Sequence, residues 1–246
     1  MANISEWVQI LFSALKIWYT AVVEICLNIS IIGNLFFPES EESMENKPFW
    51  ETAYSDRKVF AFSKGPTADV KEHFRLFPSN AAVLDVGCGE GRNSVFMAKL
   101  GNRVDAFDIS AAGIEKARQI AEMEKVFIRF FVCDLADFVF DKPYDIILSH
   151  GVLHLPYKET RDSFIRRMQE NTTPGGINVI GIFTNRLPAT PDNAPFTHSL
   201  FDVGELPAKY TGWELLYHAE GTFQDSHPGG IHHEHAYERI IARKPR

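Results

Sequence analysis

The chain has 246 residues, 45% of them apolar and 23% charged, with a formal charge of −7 and an isoelectric point near 5.7. Those values fit one α/β domain with an appendage. Together with the absence of any Lys/Arg run, they argue against nucleic acid as a partner. The three cysteines, Cys26, Cys88 and Cys133, are far apart and form no CxxC pattern. They therefore suggest neither a disulfide framework nor a zinc knuckle, and they fit a reducing, cytoplasmic setting.

Residues Ile17 to Phe37 are apolar except for Glu24 and a few polar side chains. The stretch is long enough to span a bilayer, but Glu24, Asn28 and Asn34 are costly in hydrocarbon. Residues 1–37 are expected to be an apolar helical extension. Three readings stay open: packing on its own domain or a partner, membrane association through residues 7–37, or an extension without a folded role. Residues 38–48, bounded by Pro38 and Pro48 with Glu39-Ser-Glu-Glu-Ser43 inside, read as a polar linker. Residues 49–246 form the main domain.

Within that domain strands and helices alternate. Thr67–Phe77 reads as a helix with Val70, Phe74 and Phe77 on one face and Thr67 as its N-cap. Strands are predicted at Ala82–Val86, Arg103–Phe107, Phe127–Val132, Tyr144–Ser149 and Ile177–Phe183, with two late ones near Trp213–His218 and His235–Ala242. Helices are predicted at Arg92–Leu100, closed by Gly101, at Ser110–Glu124, capped by Ser110, and at Lys158–Gln169. Strands alternating with helices of this length predict a parallel sheet covered on both faces. Ligands then sit at the carboxyl ends of the strands, near the switch point in strand order.

Three acids mark those ends. The first strand runs into Asp85-Val-Gly87-Cys88-Gly89-Glu-Gly91. Its glycines allow a sharp turn and close approach of a ligand. A dinucleotide loop would read GxGxxG and hold pyrophosphate. An acid at the start of this loop repels phosphate and suits a cationic ligand. Asp108 ends the second strand, 19 residues after Gly89 and beside Ile109, where a carboxylate accepts ribose hydroxyls. Asp134 follows the third strand, placed to accept from an adenine amino group with Leu135 against the ring. Each acid taken singly also suits a capping or turn residue.

The stretch Val83–Leu155 resembles the core of class I methyltransferases. Asp85–Gly91 resembles the family's first motif, Asp108 its ribose acid, and Asp134 its adenine-side acid. Ser149-His150-Gly151-Val152-Leu153-His154 resembles the segment after its fourth strand. Within that class the chain is similar to the tellurite-resistance TehB type from about Phe49 onward. The similarity rests on Gly89-Glu-Gly91-Arg92-Asn93-Ser94, Gly204-Glu-Leu206, Tyr210, Gly212-Trp-Glu214 and Ala242-Arg-Lys244. The resemblance implies an α/β, Rossmann-like fold with a seven-stranded, mostly parallel sheet. It implies S-adenosyl-L-methionine as cofactor, and a small soft methyl acceptor such as a thiol or a chalcogen oxyanion, with a detoxifying role. The implied cofactor contacts are Asp85, Gly87, Cys88, Gly89, Arg92, Asn93, Asp108, Ile109, Asp134, Leu135 and His150.

The late His-Arg element of that family is replaced here by His227-Pro-Gly-Gly-Ile-His232-His233-Glu-His235, which lacks the matching arginine. On a strand His233 and His235 share a face. They could serve as a polar strand edge, line a substrate pocket or bind metal, although no acid or cysteine ligand stands at a clear spacing and no metal is expected. His154, His227 and His233 are the candidate catalytic residues, as base or acceptor contact. A non-catalytic S-adenosylmethionine sensor or scaffold is the alternative from another class.

Overall fold

The computed structural model describes residues 48–55, 65–191, 193–227 and 231–246. The chain divides into two compact units, residues 1–46 and 47–246. The expected extension over residues 1–37, its membrane association and most of the linker lie outside the described residues. Among the described residues no helix is long and apolar enough to cross a membrane.

The second unit is built on a seven-stranded sheet in the order β3-β2-β1-β4-β5-β7-β6. The strands are β1 (Ala82–Val86), β2 (Arg103–Asp108), β3 (Ile128–Val132), β4 (Tyr144–His150), β5 (Thr172–Phe183), β6 (Glu214–His227) and β7 (Ile231–Arg243). The first five run parallel, and β7 is inserted antiparallel between β5 and β6. Strand order reverses at β1, flanked by β2 and β4, so the switch point lies at the tip carrying Asp85.

The helices are α1 (Phe49–Ser55), α2 (Ala68–His73), α3 (Arg92–Lys99), α4 (Ala111–Met123), α5 (Lys158–Glu170) and α6 (Glu205–Lys209). One apolar layer joins Val70 of α2, Val95 and Met97 of α3 and Ile114, Ala117 and Ile120 of α4 to Val83, Ala106, Ile146 and Val179 of the sheet. The opposite layer joins Phe164, Ile165 and Met168 of α5 and Leu206 of α6 to Leu84, Phe107, Ile147 and Ile240. Both faces of β1 and β4 are therefore buried, which explains why Val83-Leu84 and Ile146-Ile147-Leu148 are adjacent apolar residues rather than alternating ones.

Three expectations are corrected. The helix expected over Thr67–Phe77 is α-helical only to His73 and continues as a 3-10 turn over Phe74–Leu76. Phe77 is extended because it precedes Pro78, whose ring disfavours helical backbone at the residue before it. Thr67 flanks this helix without capping it through its side chain. The last two strands are much longer than expected. The paired segments 222–227 and 231–236 run beyond Phe183, the last β5 residue paired with β7, and residues paired on one side only need no continuous apolar pattern. Helices α1 and α6 were not expected at all.

Candidate functional site

The loop after β1 is held from below by backbone and from the side by acids. Cys88 N–H donates to the Phe107 carbonyl at 3.0 Å, which ties the loop to the end of β2. Gly87 and Gly89 have φ of +65° and +55°, a left-handed region that strains other residues. A Cβ on Gly87 would overlap the branched side chain of Val152, and one on Gly89 would overlap the Tyr54 hydroxyl. Val152 and Tyr54 thus pack directly on the loop backbone and leave no room for a side chain at either glycine. Ser94 of α3 donates its hydroxyl to Asp85 at 2.5 Å. Burial pushes the Asp85 carboxyl up to about 6, against the pull of the Ser94 hydroxyl, His150 and Arg92, with Asp108 adding to the rise.

Asp108 is buried at the tip of β2. One carboxylate oxygen accepts the Gly89 N–H at 2.8 Å and the other accepts the Ser110 N–H at 2.9 Å. Burial raises its affinity for a proton, while those two N–H donors lower it. Ser110 in turn accepts the Gly113 N–H at 3.0 Å and caps α4, as expected. Asp134 follows β3, and its Oδ1 accepts the Ala136 N–H at 2.7 Å in a tight turn. Ile109 is 61% exposed on the rim, whereas Leu135 is buried with Phe107 and Phe138 in the second core layer. Burial, with Asp85 and Asp108 nearby, keeps the Cys88 thiol protonated, so it serves the loop as a small apolar residue rather than a nucleophile.

Sequence reading missed what closes this site from the N-terminal side. Tyr54 of α1 is buried over Gly89 and Gly113. Burial, then Asp108, Cys88 and Glu90, raises its hydroxyl well above the ordinary tyrosine value. Lys116 of α4 pairs with Glu90 of the loop at 3.1 Å, both nearly inaccessible, and donates to the Ala53 carbonyl of α1 at 3.4 Å. One cation thus neutralises the loop's second acid and docks α1.

His150, expected as a cofactor contact, is engaged by protein at both ring nitrogens. Its Nε2 lies 2.7 Å from Asp69 Oδ2 of α2, and its Nδ1 lies 3.5 Å from the Asn93 amide of α3. Asn93 also accepts the Thr67 N–H at 2.9 Å. Arg92 stands beside these groups at the start of α3, close enough for its charge to act on Asp85. Burial alone would raise the Asp69 carboxyl, but His150, Arg239 and Thr67 hold it well below the usual range. His150, Gly181 and Arg239 are paired residues on neighbouring strands, so they share one face. Arg239 reaches this face from β7.

At the far end of β4 and β5 the imidazoles gather around Phe183. His154 stacks on it with centroids 4.4 Å apart and His235 with centroids 4.1 Å apart, and His233 meets His235 edge-on at 4.6 Å. His154 is 2% exposed, and the Phe183 N–H approaches its Nδ1 at 3.4 Å. Burial and the neighbouring His235 push its pKa down to about 3, so it is neutral and a weak proton acceptor at pH 7. A ring held this way disfavours the role of base expected for His154. His227 ends β6, and its side chain lies outside the described residues, as does that of His232. Among the described residues no group of three His, Cys, Asp or Glu could hold a metal ion.

The depressed His154 value has a stability consequence. The unfolded chain takes up the proton near pH 6.5 and the folded chain only near 3, so the neutral ring's contribution is present above pH 6.5 and is lost as pH falls towards 3. Urea unfolding at pH 6.5, 5.5 and 4.5 should show this loss, at most about 1.4 kcal/mol per pH unit. His154→Phe should flatten the slope. An unchanged slope in that variant would remove His154 from the account.

A sheet of order 3-2-1-4-5-7-6 with its seventh strand reversed, and an acid-bearing glycine loop at its switch point, defines the class I methyltransferase fold. The chain belongs to the TehB family: the model described as "Tellurite resistance protein TehB" matches residues 55–232. It is 31% identical over 170 residues to a probable S-adenosyl-L-methionine-dependent methyltransferase TehB of Haemophilus influenzae (strain 10810), covering 68% of this chain and 58% of the relative. The chain thus spans little more than half the length of that relative. The crystal structure of TehB from Haemophilus influenzae superposes with a TM-score of 0.66 at 27% identity, over 74% of this chain and 63% of that one. NodS, an N-methyltransferase of Bradyrhizobium japonicum solved with S-adenosyl-L-homocysteine, shares the fold at 15% identity with a TM-score of 0.61, over 81% of this chain and all of its own.

Proposed function

We propose that this chain is an S-adenosyl-L-methionine-dependent methyltransferase whose acceptor is a small soft nucleophile, a thiol or a chalcogen oxyanion, with a role in detoxification. The observation that carries the cofactor is the acidic glycine loop. Asp85, Asp108 and Asp134 stand at the ends of β1, β2 and β3 around the loop, and the Lys116 ammonium beside it is paired with Glu90. Such a site favours a ligand bearing an ammonium and a sulfonium over a nucleotide phosphate. When bound, the cofactor supplies a methyl group on a cationic sulfur. Asp108 would hold the ribose, Asp134 the adenine side and Asp85 the positive amino-acid end.

Proton chemistry among the described residues supports this acceptor class. An alcohol or amine acceptor needs a base near neutrality. His154 is too weakly basic, and both His150 nitrogens are engaged by Asp69 and Asn93. A thiol needs little help: its proton would pass to water, and a bound cofactor would supply the methyl group to the thiolate sulfur while its own sulfur kept the electron pair. Alignment of the reacting atoms then supplies most of the rate gain.

Cofactor affinity should depend on pH through Asp85. Below about pH 6 its carboxyl is protonated, and above it the carboxylate attracts a cation. Calorimetric titration with S-adenosyl-L-methionine should show tighter binding at pH 7 than at pH 5, and Asp85→Asn should remove that difference. A wild-type affinity flat across this range would count against the assignment of Asp85 to the ligand's positive end. Incubation with labelled cofactor and a panel of thiols, selenite and tellurite tests the whole reading. Binding without transfer to any of them would leave a sensor rather than an enzyme.

A further inference from the structure

Strand pairing places a cation in line with His150. His150 of β4, Gly181 of β5, Arg239 of β7 and Ala219 of β6 form one cross-strand row and face the same side of the sheet. The missing side chain at Gly181 lets both neighbours lie over it: a Cβ there would come within 2.8 Å of His150 Cδ2 and 3.6 Å of Arg239 Cγ. The guanidinium carbon lies 4.6 Å from the centre of the Tyr237 ring. Tyr237 pairs with Phe183, the last residue of β5, so the charge leans towards the carboxyl edge, where ligands of such sheets bind. Arg239 is half-buried, yet among the described residues it has no ion-pair or hydrogen-bond partner. Asp69 feels its charge but gives Oδ2 to His150 at 2.7 Å. A charge withdrawn from water is costly unless it is paired, and the planar fork of an arginine matches a carboxylate.

The row begins at the cofactor loop. His150 Nδ1 lies 3.5 Å from the amide of Asn93, in the first turn of the helix that the loop opens. Val152, two residues beyond His150, packs on Gly87. From β1, which carries the loop, the order β1-β4-β5-β7 sets the Arg239 backbone three strand spacings away, a distance of about 14 Å. The arginine side chain covers only part of it. A negative charge held by Arg239 therefore sits several bonds from the atom that takes the methyl group. In a chalcogen oxyanion the charge lies on oxygens bonded to the reacting atom itself, so such an acceptor cannot use both places. We infer that Arg239 binds a carboxylate at the far end of an organic thiol, and so selects an anionic thiol over neutral thiols and over chalcogen oxyanions. The inference rests on the methyltransferase reading and narrows its acceptor.

3-Mercaptopropionate and its amide are close in size and differ in charge. Compared at equal thiolate concentration, the full chain should methylate the acid with kcat/KM at least about tenfold above the amide, as the loss of a hydrogen bond between charged groups requires. Arg239→Met should raise KM for the acid about tenfold or more and bring the two acceptors to within about threefold of each other. Arg239→Lys should keep part of the preference, because an ammonium retains the charge without the fork. Equal kcat/KM for acid and amide in the wild type would overturn the assignment of Arg239 while leaving the methyltransferase reading intact. Equal losses for both thiols in Arg239→Met, with a lower Tm, would also overturn it, by showing that the guanidinium serves the fold as a counter-charge to Asp69. A rise in the S-adenosyl-L-methionine Kd that matches the rise in acceptor KM would overturn it by placing Arg239 at the cofactor. Transfer to selenite or tellurite but to neither thiol would overturn the inference and keep the broader class. No transfer to any acceptor, with cofactor binding intact, would overturn both.

Discussion

Replacing Asp108 by alanine is expected to raise the dissociation constant for S-adenosyl-L-methionine by about two to four orders of magnitude. The figure comes from losing two hydrogen bonds to a charged group, each about 1.5–3 kcal/mol, with roughly 1.4 kcal/mol per tenfold. The carboxylate has a second duty that adds to the loss. Its Oδ2 accepts from Gly89, so its removal frees the loop. Asparagine does not substitute well. Both carboxylate oxygens face backbone N–H groups, of Gly89 and Ser110, and an amide must turn its NH2 towards one of them. Asp108→Asn should therefore bind nearly as poorly as Asp108→Ala, although it is almost isosteric. Calorimetry on both variants, with thermal unfolding to show that they remain folded, decides the matter. Affinity in Asp108→Ala within about threefold of wild type would remove Asp108 from the ligand site.

The contrast between this acid and Asp69 shows what a sequence reveals of a site. Asp85, Asp108 and Asp134 each stand at the end of a short apolar strand, so local pattern places all three at the carboxyl edge of the sheet. The bounds of β1 and the Ser110 cap of α4 follow from the same local rules. Asp69 lies on a short helix, 81 residues from its partner His150, and nothing in its neighbourhood announces the pairing. Tyr54 and Arg239 are equally silent: one comes from a helix with no capping signal, the other from a strand whose partner is set by tertiary topology. Thr67 was legible as a cap by type, but its N–H and hydroxyl turn to Asn93 instead. The histidine cluster was legible as a shared face on a strand. Its electrostatics were not, because the burial that lowers His154 arises where β4, β5 and β7 converge.

Arg161 carries the second large expectation. Its side chain is 1% exposed on α5, yet it bears a full charge. The guanidinium donates to Glu205 at 2.5 Å, to the Ser199 carbonyl at 3.0 Å and to Asp162 at 2.8 Å, and it lies 4.0 Å over the Phe201 ring. It thus ties α5 to α6 and to the segment that joins β5 to α6. Arg161→Met keeps much of the volume but leaves the Ser199 carbonyl and part of the Glu205 charge without their donor. Breaking one side of a buried pair costs about 3–5 kcal/mol, and urea unfolding should show a loss of that order. Lys209 lies 3.2 Å from Glu205 and 3.0 Å from Asp162, so it shares part of the load and favours the lower end of the range. Arg161→Lys should fall between, because an ammonium cannot reproduce the planar set of donors. In the double variant Arg161→Met/Glu205→Leu both charges are gone, so it should recover part of the loss. Function should split in the same direction. Cofactor affinity depends on the edge formed by β1 and β2 and should change little, whereas KM for the acceptor should rise as Ser199 loosens above His154. Arg161→Met with stability within about 1 kcal/mol of wild type would show that the ion pair adds little. A rise in cofactor Kd equal to the rise in acceptor KM would show that Arg161 supports the whole domain rather than the acceptor side.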